Sequence, residues 1–148
     1  MLRAAGLAAL TTGTPLVTGC DLFGGSSPAG PDPLRPLLTE AVDLAGRYAA
    51  AATAHPDLAA LLDPIARAHR SHAAELGRLA GVPVPSDVPG GSPGAPTGDS
   101  GATLAALRSA EQRGQDSATR ACLAAPAESA ALLGSIAAAR ATHLAALA

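Results

Sequence analysis

Hydrophobic residues recur at spacings of three and four positions along four stretches of this chain, a pattern that predicts four amphipathic helices. The predicted helices span about 34–54, 57–80, 100–124 and 127–147. Pro56 suits the first turn of the second helix, and Gly81 suits its C-cap. Pro64 falls inside the second helix and predicts either a kink or a later start near Asp63.

The connection between the second and third helices, residues 81–99, holds five Pro and five Gly and predicts no regular structure. Its 19 residues can reach roughly 60 Å when extended. A helix of 24 residues is about 36 Å long, so the connection can return along the whole bundle. We therefore expect an all-α, ferritin-like four-helix bundle of two hairpins, 34–80 and 100–148, with one long crossover. A plain up-and-down bundle with a long loop is the alternative.

Composition and charge narrow the class of protein. Ala and Leu dominate, while aromatic residues make up 1% of the chain, which excludes an all-β or doubly wound fold. The net charge is −2, so the chain lacks the basic footprint of a nucleic-acid-binding protein.

The N-terminus predicts processing and a membrane anchor. Arg3 precedes a short apolar stretch that ends in Val17-Thr18-Gly19-Cys20, which resembles a bacterial lipobox. This resemblance implies a signal peptide over 1–19, lipid attachment to Cys20 and a position on the extracytoplasmic face of the cell membrane. An ordinary secretory signal is the alternative. Residues 20–33 then form a flexible tether, in which Phe23 is either a linker residue or an interfacial contact.

Ionisable residues interrupt three of the four apolar seams near the middle of each helix. They are His69 and His72 in the second helix, Glu111 in the third, and Arg140 and His143 in the fourth. Since buried ionisable groups need partners, we expect these side chains to meet at one level of the bundle. The first helix has no clear seam carboxylate, with Asp43 the nearest candidate and Glu40 the next.

Two segments, YAAAATAHPDLAALLDPIARAHRSHAAEL and SIAAARATHLAALA, resemble the ferritin-like domain of unknown function found in actinobacterial lipoproteins. Ferritin-like di-iron sites use a Glu from each of two helices and a Glu-x-x-His from each of the other two. Here the two motifs are His69-x-x-His72 and Arg140-x-x-His143, so carboxylates are lost and a guanidinium is gained. The resemblance therefore implies a bundle without a ferroxidase-type di-iron centre.

Two hypotheses about function follow from these residues. In the first, Glu111 and Arg140 form a core charge pair, and the domain is a cofactor-free, non-enzymatic interaction module for a protein partner or a second copy. In the second, His69, His72, Glu111 and His143 bind one zinc or iron ion at the cell surface. Both hypotheses place the chain at the membrane through Cys20.

Overall fold

The computed structural model describes residues 32–84 and 98–148, which form four α-helices and no strand. The helices are α1 (Leu34–Ala54), α2 (Ala59–Ala80), α3 (Ser100–Ala124) and α4 (Ala127–Ala146). A short 3-10 turn, Pro56–Leu58, precedes α2. The all-α prediction is confirmed. The predicted signal peptide, Cys20, most of the tether, and residues 85–97 of the connection lie outside the described residues.

Local sequence signals account for the helix ends. The Asp99 side chain caps α3 by accepting a hydrogen bond from the Ala102 amide at 2.8 Å. Gly81 ends α2 in the left-handed conformation, with φ of 64°, as predicted. Of the two alternatives for Pro64, the later start near Asp63 is wrong, because α2 begins at Ala59 and includes Pro64.

The helices pack as a ring in which α1 contacts α2 and α3, and α4 contacts α2 and α3. The pairs α1–α2 and α3–α4 share the largest interfaces, as expected for two helical hairpins. This arrangement is a four-helix bundle.

Contacts between helices define the direction in which each one runs. The end of α1 lies beside the start of α3, where the His55 ring and the Thr103 hydroxyl are 3.0 Å apart. At the other end of the bundle, Leu34 of α1 and Leu79 of α2 line one pocket. The end of α2 and the start of α3 therefore lie at opposite ends of the bundle.

The apolar core has two separate halves. The half around the end of α1 contains Leu44, Tyr48, Leu62, Ile65, Leu107 and Leu147, and the half around its start contains Leu37, Ala41, Leu76, Leu133 and Ile136. Buried polar side chains lie between these halves along α2, α3 and α4. No helix in the described part of the chain is long and apolar enough to cross a bilayer.

Replacing Leu76 with alanine should destabilise the bundle by about 2–5 kcal/mol, because this fully buried side chain would leave a cavity. Leu123→Ala is the matched control, since the Leu123 side chain is 85% exposed and should change stability by no more than about 0.5 kcal/mol. Urea unfolding followed by circular dichroism measures both. Equal effects of the two substitutions would contradict this packing.

Candidate functional site

A layer of buried polar side chains separates the two apolar halves of the core. His69 of α2 and Glu111 of α3 are fully buried, and His143 of α4 is nearly so. These three side chains meet at one level, as the sequence predicts. Arg140, one turn before His143, is also fully buried and is the largest completely buried side chain in the described residues.

Glu111 is the centre of this layer. Its Oε1 atom accepts hydrogen bonds from two histidines, His69 through Nε2 at 2.6 Å and His143 through Nδ1 at 3.0 Å. Both rings must carry a proton on the nitrogen that faces the carboxylate for these bonds to form. Hydrogen bonds to one carboxylate oxygen thus connect α3 to both α2 and α4 at one level of the bundle.

The hydrogen bonds keep Glu111 ionised despite its burial. Burial alone would raise the pKa of Glu111, but the hydrogen bonds from His143 and His69 outweigh it and lower that pKa to about 2. The layer therefore holds a buried carboxylate at neutral pH.

Burial favours the neutral forms of the neighbouring His69 and Tyr48 side chains. It lowers the pKa of His69, although the hydrogen bond to Glu111 partly opposes this shift. Burial also raises the pKa of the Tyr48 hydroxyl, and the Glu111 charge adds to that increase. The Tyr48 ring lies 5.4 Å from the His69 ring, measured between centroids, and closes the layer on the side of α1.

The charge pair expected between Glu111 and Arg140 is wrong, because Arg140 pairs with Glu40 of α1 instead. The Arg140 Nη1 atom donates to Glu40 Oε1, and Ser117 Oγ donates to Glu40 Oε2 at 2.7 Å. Asp43, which ranked ahead of Glu40 as the first-helix carboxylate, instead pairs with Arg47 at 2.7 Å on a half-exposed face. Glu111 has its hydrogen bonds from His69 and His143 instead.

Gly114 makes room for the Arg140–Glu40 pair. A Cβ atom at this position would overlap both Arg140 Nη1 and Glu40 Oε1. The absence of a side chain on α3 thus lets the guanidinium pass across that helix to reach α1. A glycine inside a helix costs about 1 kcal/mol relative to alanine, and here the space it leaves holds an ion pair.

His72 lies beside the layer rather than within it. Its ring is 5.9 Å from the His69 ring in an edge-on arrangement, and its Nδ1 atom is buried without a hydrogen-bond partner among the described residues. Burial lowers the pKa of His72 to about 4. Of the four residues in the metal hypothesis, the structure brings together His69, Glu111 and His143 and leaves His72 outside this group.

The three converging side chains form a set of metal-ligand atoms. One nitrogen from each histidine and one Glu111 oxygen all lie within 4.8 Å of one another. The second Glu111 oxygen, Oε2, is buried without a hydrogen-bond partner in the described part of the chain. Two imidazoles and a carboxylate are donors that suit zinc and ferrous iron.

Two parts of this site were not predicted from the sequence. Glu40 was only the second candidate for a first-helix carboxylate, and its side chain reaches inward to pair with Arg140. No role in the site was predicted for Gly114. Its position on the core-facing seam of the third helix, three residues after Glu111, was the one available signal that a large side chain packs against the backbone at residue 114.

Comparison with models of known protein families, with curated proteins and with solved structures finds no match for this chain.

Gly114→Ala should destabilise the protein by about 1–3 kcal/mol, because the new methyl group would displace the Arg140–Glu40 pair. Gly134→Ala is the matched control. Its Cβ would meet only Cys122 Sγ at an ordinary contact distance of 3.5 Å, so the gain in helix propensity should stabilise the fold by up to about 1 kcal/mol. Thermal unfolding of both variants measures the difference, and a stabilised Gly114→Ala variant would contradict the proposed role of Gly114.

The metal-free protein should lose stability as the pH falls from 7.5 to 5. The fold lowers the pKa values of His69 and His72 below the ordinary histidine pKa of 6.5. Below about pH 6.5 the unfolded chain therefore binds more protons than the folded chain does. Stability is thus fully present above about pH 6.5 and declines toward pH 4. Glu111 does not contribute in this range, since its lowered pKa matters only below about 4.5.

Melting temperatures measured in the presence of a chelator test this pH dependence. His72→Gln removes one of the two titrating rings and should flatten the decline. A wild-type melting temperature that stays constant from pH 7.5 to 5 would show that the rings are not desolvated in solution.

Proposed function

We propose that this chain is a lipid-anchored extracytoplasmic protein whose ferritin-like helical bundle binds one divalent metal ion, zinc or iron, in its core. The observation that carries the proposal is the convergence of His69, Glu111 and His143 from three helices onto one point.

The charges of the layer favour a cation. Glu40 and Glu111 contribute two carboxylates and Arg140 one guanidinium, so the layer carries one net negative charge when the histidines are neutral. The sequence-based objection to a metal was that the guanidinium of Arg140, close to the histidines, would repel a cation. Since Arg140 pairs with Glu40, the Glu111 carboxylate retains its charge for another cation.

The same contacts favour one ion rather than two. Glu40 is the other carboxylate near the layer, and Arg140 and Ser117 occupy its two oxygens. A di-iron centre of the ferritin type needs four carboxylates, whereas among the described residues only Glu111 of this layer remains available as a ligand. A permanently charged guanidinium at the position of a second ion would repel that ion.

The anchor and the topology rest on separate observations. Cys20 follows a lipobox-like sequence, which supports lipid attachment and an extracytoplasmic position. The end of α2 and the start of α3 lie at opposite ends of the bundle. That placement supports a connection that crosses the length of the bundle, as in ferritin-like proteins.

A metal-free interaction module is the second candidate function. Leu123 is 85% exposed and Leu79 is 38% exposed near the same end of the bundle, so an apolar surface is available for a protein partner or a second copy. In this alternative the hydrogen bonds from His69 and His143 stabilise the buried Glu111 carboxylate without a metal.

Metal retention after desalting distinguishes the two candidates. The mature chain, which begins at residue 20 in this proposal, is prepared with Cys20→Ser and incubated with Zn(II) or, without oxygen, with Fe(II). We expect about one metal ion per chain, and a higher melting temperature with metal, because a ligand that binds only the folded state stabilises it. His69→Ala and His143→Ala should each abolish both effects.

His55→Ala is the matched control, because His55 contacts Thr103 away from the layer and should leave binding intact. A helical, folded chain that retains no metal would refute metal binding and support the interaction module. Equal retention by all three alanine variants would place the bound metal elsewhere.

A further inference from the structure

A pocket of about 290 Å³ opens at the end of the bundle where the chain enters α1. Leu34, Leu79, Ala124 and Leu133 are among the side chains that line it, so each of the four helices contributes an apolar wall. The pocket is separate from the polar layer, and the metal proposal makes no use of it.

The chain enters the bundle on the rim of this pocket. Asp32 belongs to the lining, and its Oδ1 atom accepts a hydrogen bond from the Leu34 amide at 2.9 Å, which holds the incoming backbone there. Whatever precedes Asp32 in the sequence therefore starts at the mouth of the pocket.

We propose that Leu22 and Phe23 of the same chain occupy this pocket. Between Cys20 and Asp32 they are the only two consecutive large apolar residues, and Phe23 is the only phenylalanine in the chain. The volume of the pocket is at the small end for a ligand site and suits one or two side chains.

The sequence between Phe23 and Asp32 is long enough for Phe23 to reach the pocket. Residues 24–31 read GGSSPAGP, a composition typical of linkers, and the nine steps from Phe23 to Asp32 reach up to about 30 Å. A segment tethered this closely has an effective concentration on the order of millimolar, so a weak apolar contact suffices.

Other occupants fit the pocket less well. Asp32 and Glu128 both belong to its lining, and acidic groups do not favour a membrane surface that carries anionic lipids. A stable dimer buries about 1,200–2,000 Å², much more than a pocket for one or two side chains can supply.

Docking of Leu22 and Phe23 in the pocket would determine the orientation of the bundle relative to the membrane. Leu22 is two residues from Cys20, so docking would hold the attached lipid beside this end of the bundle. The end with His55 and Thr103 would then face away from the bilayer. This consequence rests on the proposed anchor, whereas the docking itself does not.

A tryptophan at position 23 reports directly on the contact, because the chain contains no other tryptophan. Phe23→Trp is made in the chain that begins at residue 20 with Cys20→Ser. We expect blue-shifted emission and reduced acrylamide quenching that do not depend on protein concentration. Leu79→Asp, which places a charge in the pocket wall, should return both readouts to those of an exposed tryptophan.

Leu123→Asp is the matched control, since the exposed Leu123 side chain lies outside the pocket lining and the docked signal should persist. Ala124→Glu, at an exposed lining position, gives a second disruption if Leu79→Asp unfolds the bundle. The proposal is overturned if the tryptophan is fully exposed in the otherwise unaltered chain. It is also overturned if protection appears only at high protein concentration, which indicates a second copy, or only with anionic vesicles, which indicates a membrane contact.

Discussion

The buried Glu111 carboxylate is the constraint on which the rest of the core depends. An isolated charge in an apolar interior is costly, so the surrounding helices must present donors to it. His69 and His143 do so from α2 and α4, and their hydrogen bonds keep the carboxylate ionised. This requirement fixes the relative height of three helices, which Ala-rich apolar seams alone would specify only weakly.

A second polar contact, between Arg140 and Glu40, determines what Glu111 can bind. The guanidinium crosses the bare backbone at Gly114 to reach α1, and its charge is compensated there. If Arg140 had paired with Glu111, the guanidinium would have compensated the charge of the Glu111 carboxylate. The actual pairing leaves two imidazoles and a carboxylate facing one another, which is a set of donors for a single metal ion.

The two ends of the bundle present different surfaces. At one end the His55 and Thr103 side chains link α1 to α3. At the other, an apolar pocket opens where the chain enters the bundle, close to the exposed Leu79 and Leu123 side chains. The polar layer lies between the two apolar halves, so the proposed metal site and the proposed docking pocket involve different residues.

The sequence by itself determined the four helices, the C-cap at Gly81, and the polar residues on each seam, because helical periodicity and capping are local properties. The hydrogen bonds that bring His69, Glu111 and His143 to one level are seen only in the tertiary structure. The partner of Arg140 was decided only by the tertiary structure. Glu111 and Glu40 both lie within reach of a long side chain, and the choice depends on the space above Gly114 and on how α1 is rotated. Neither is encoded in the spacing of residues along one helix.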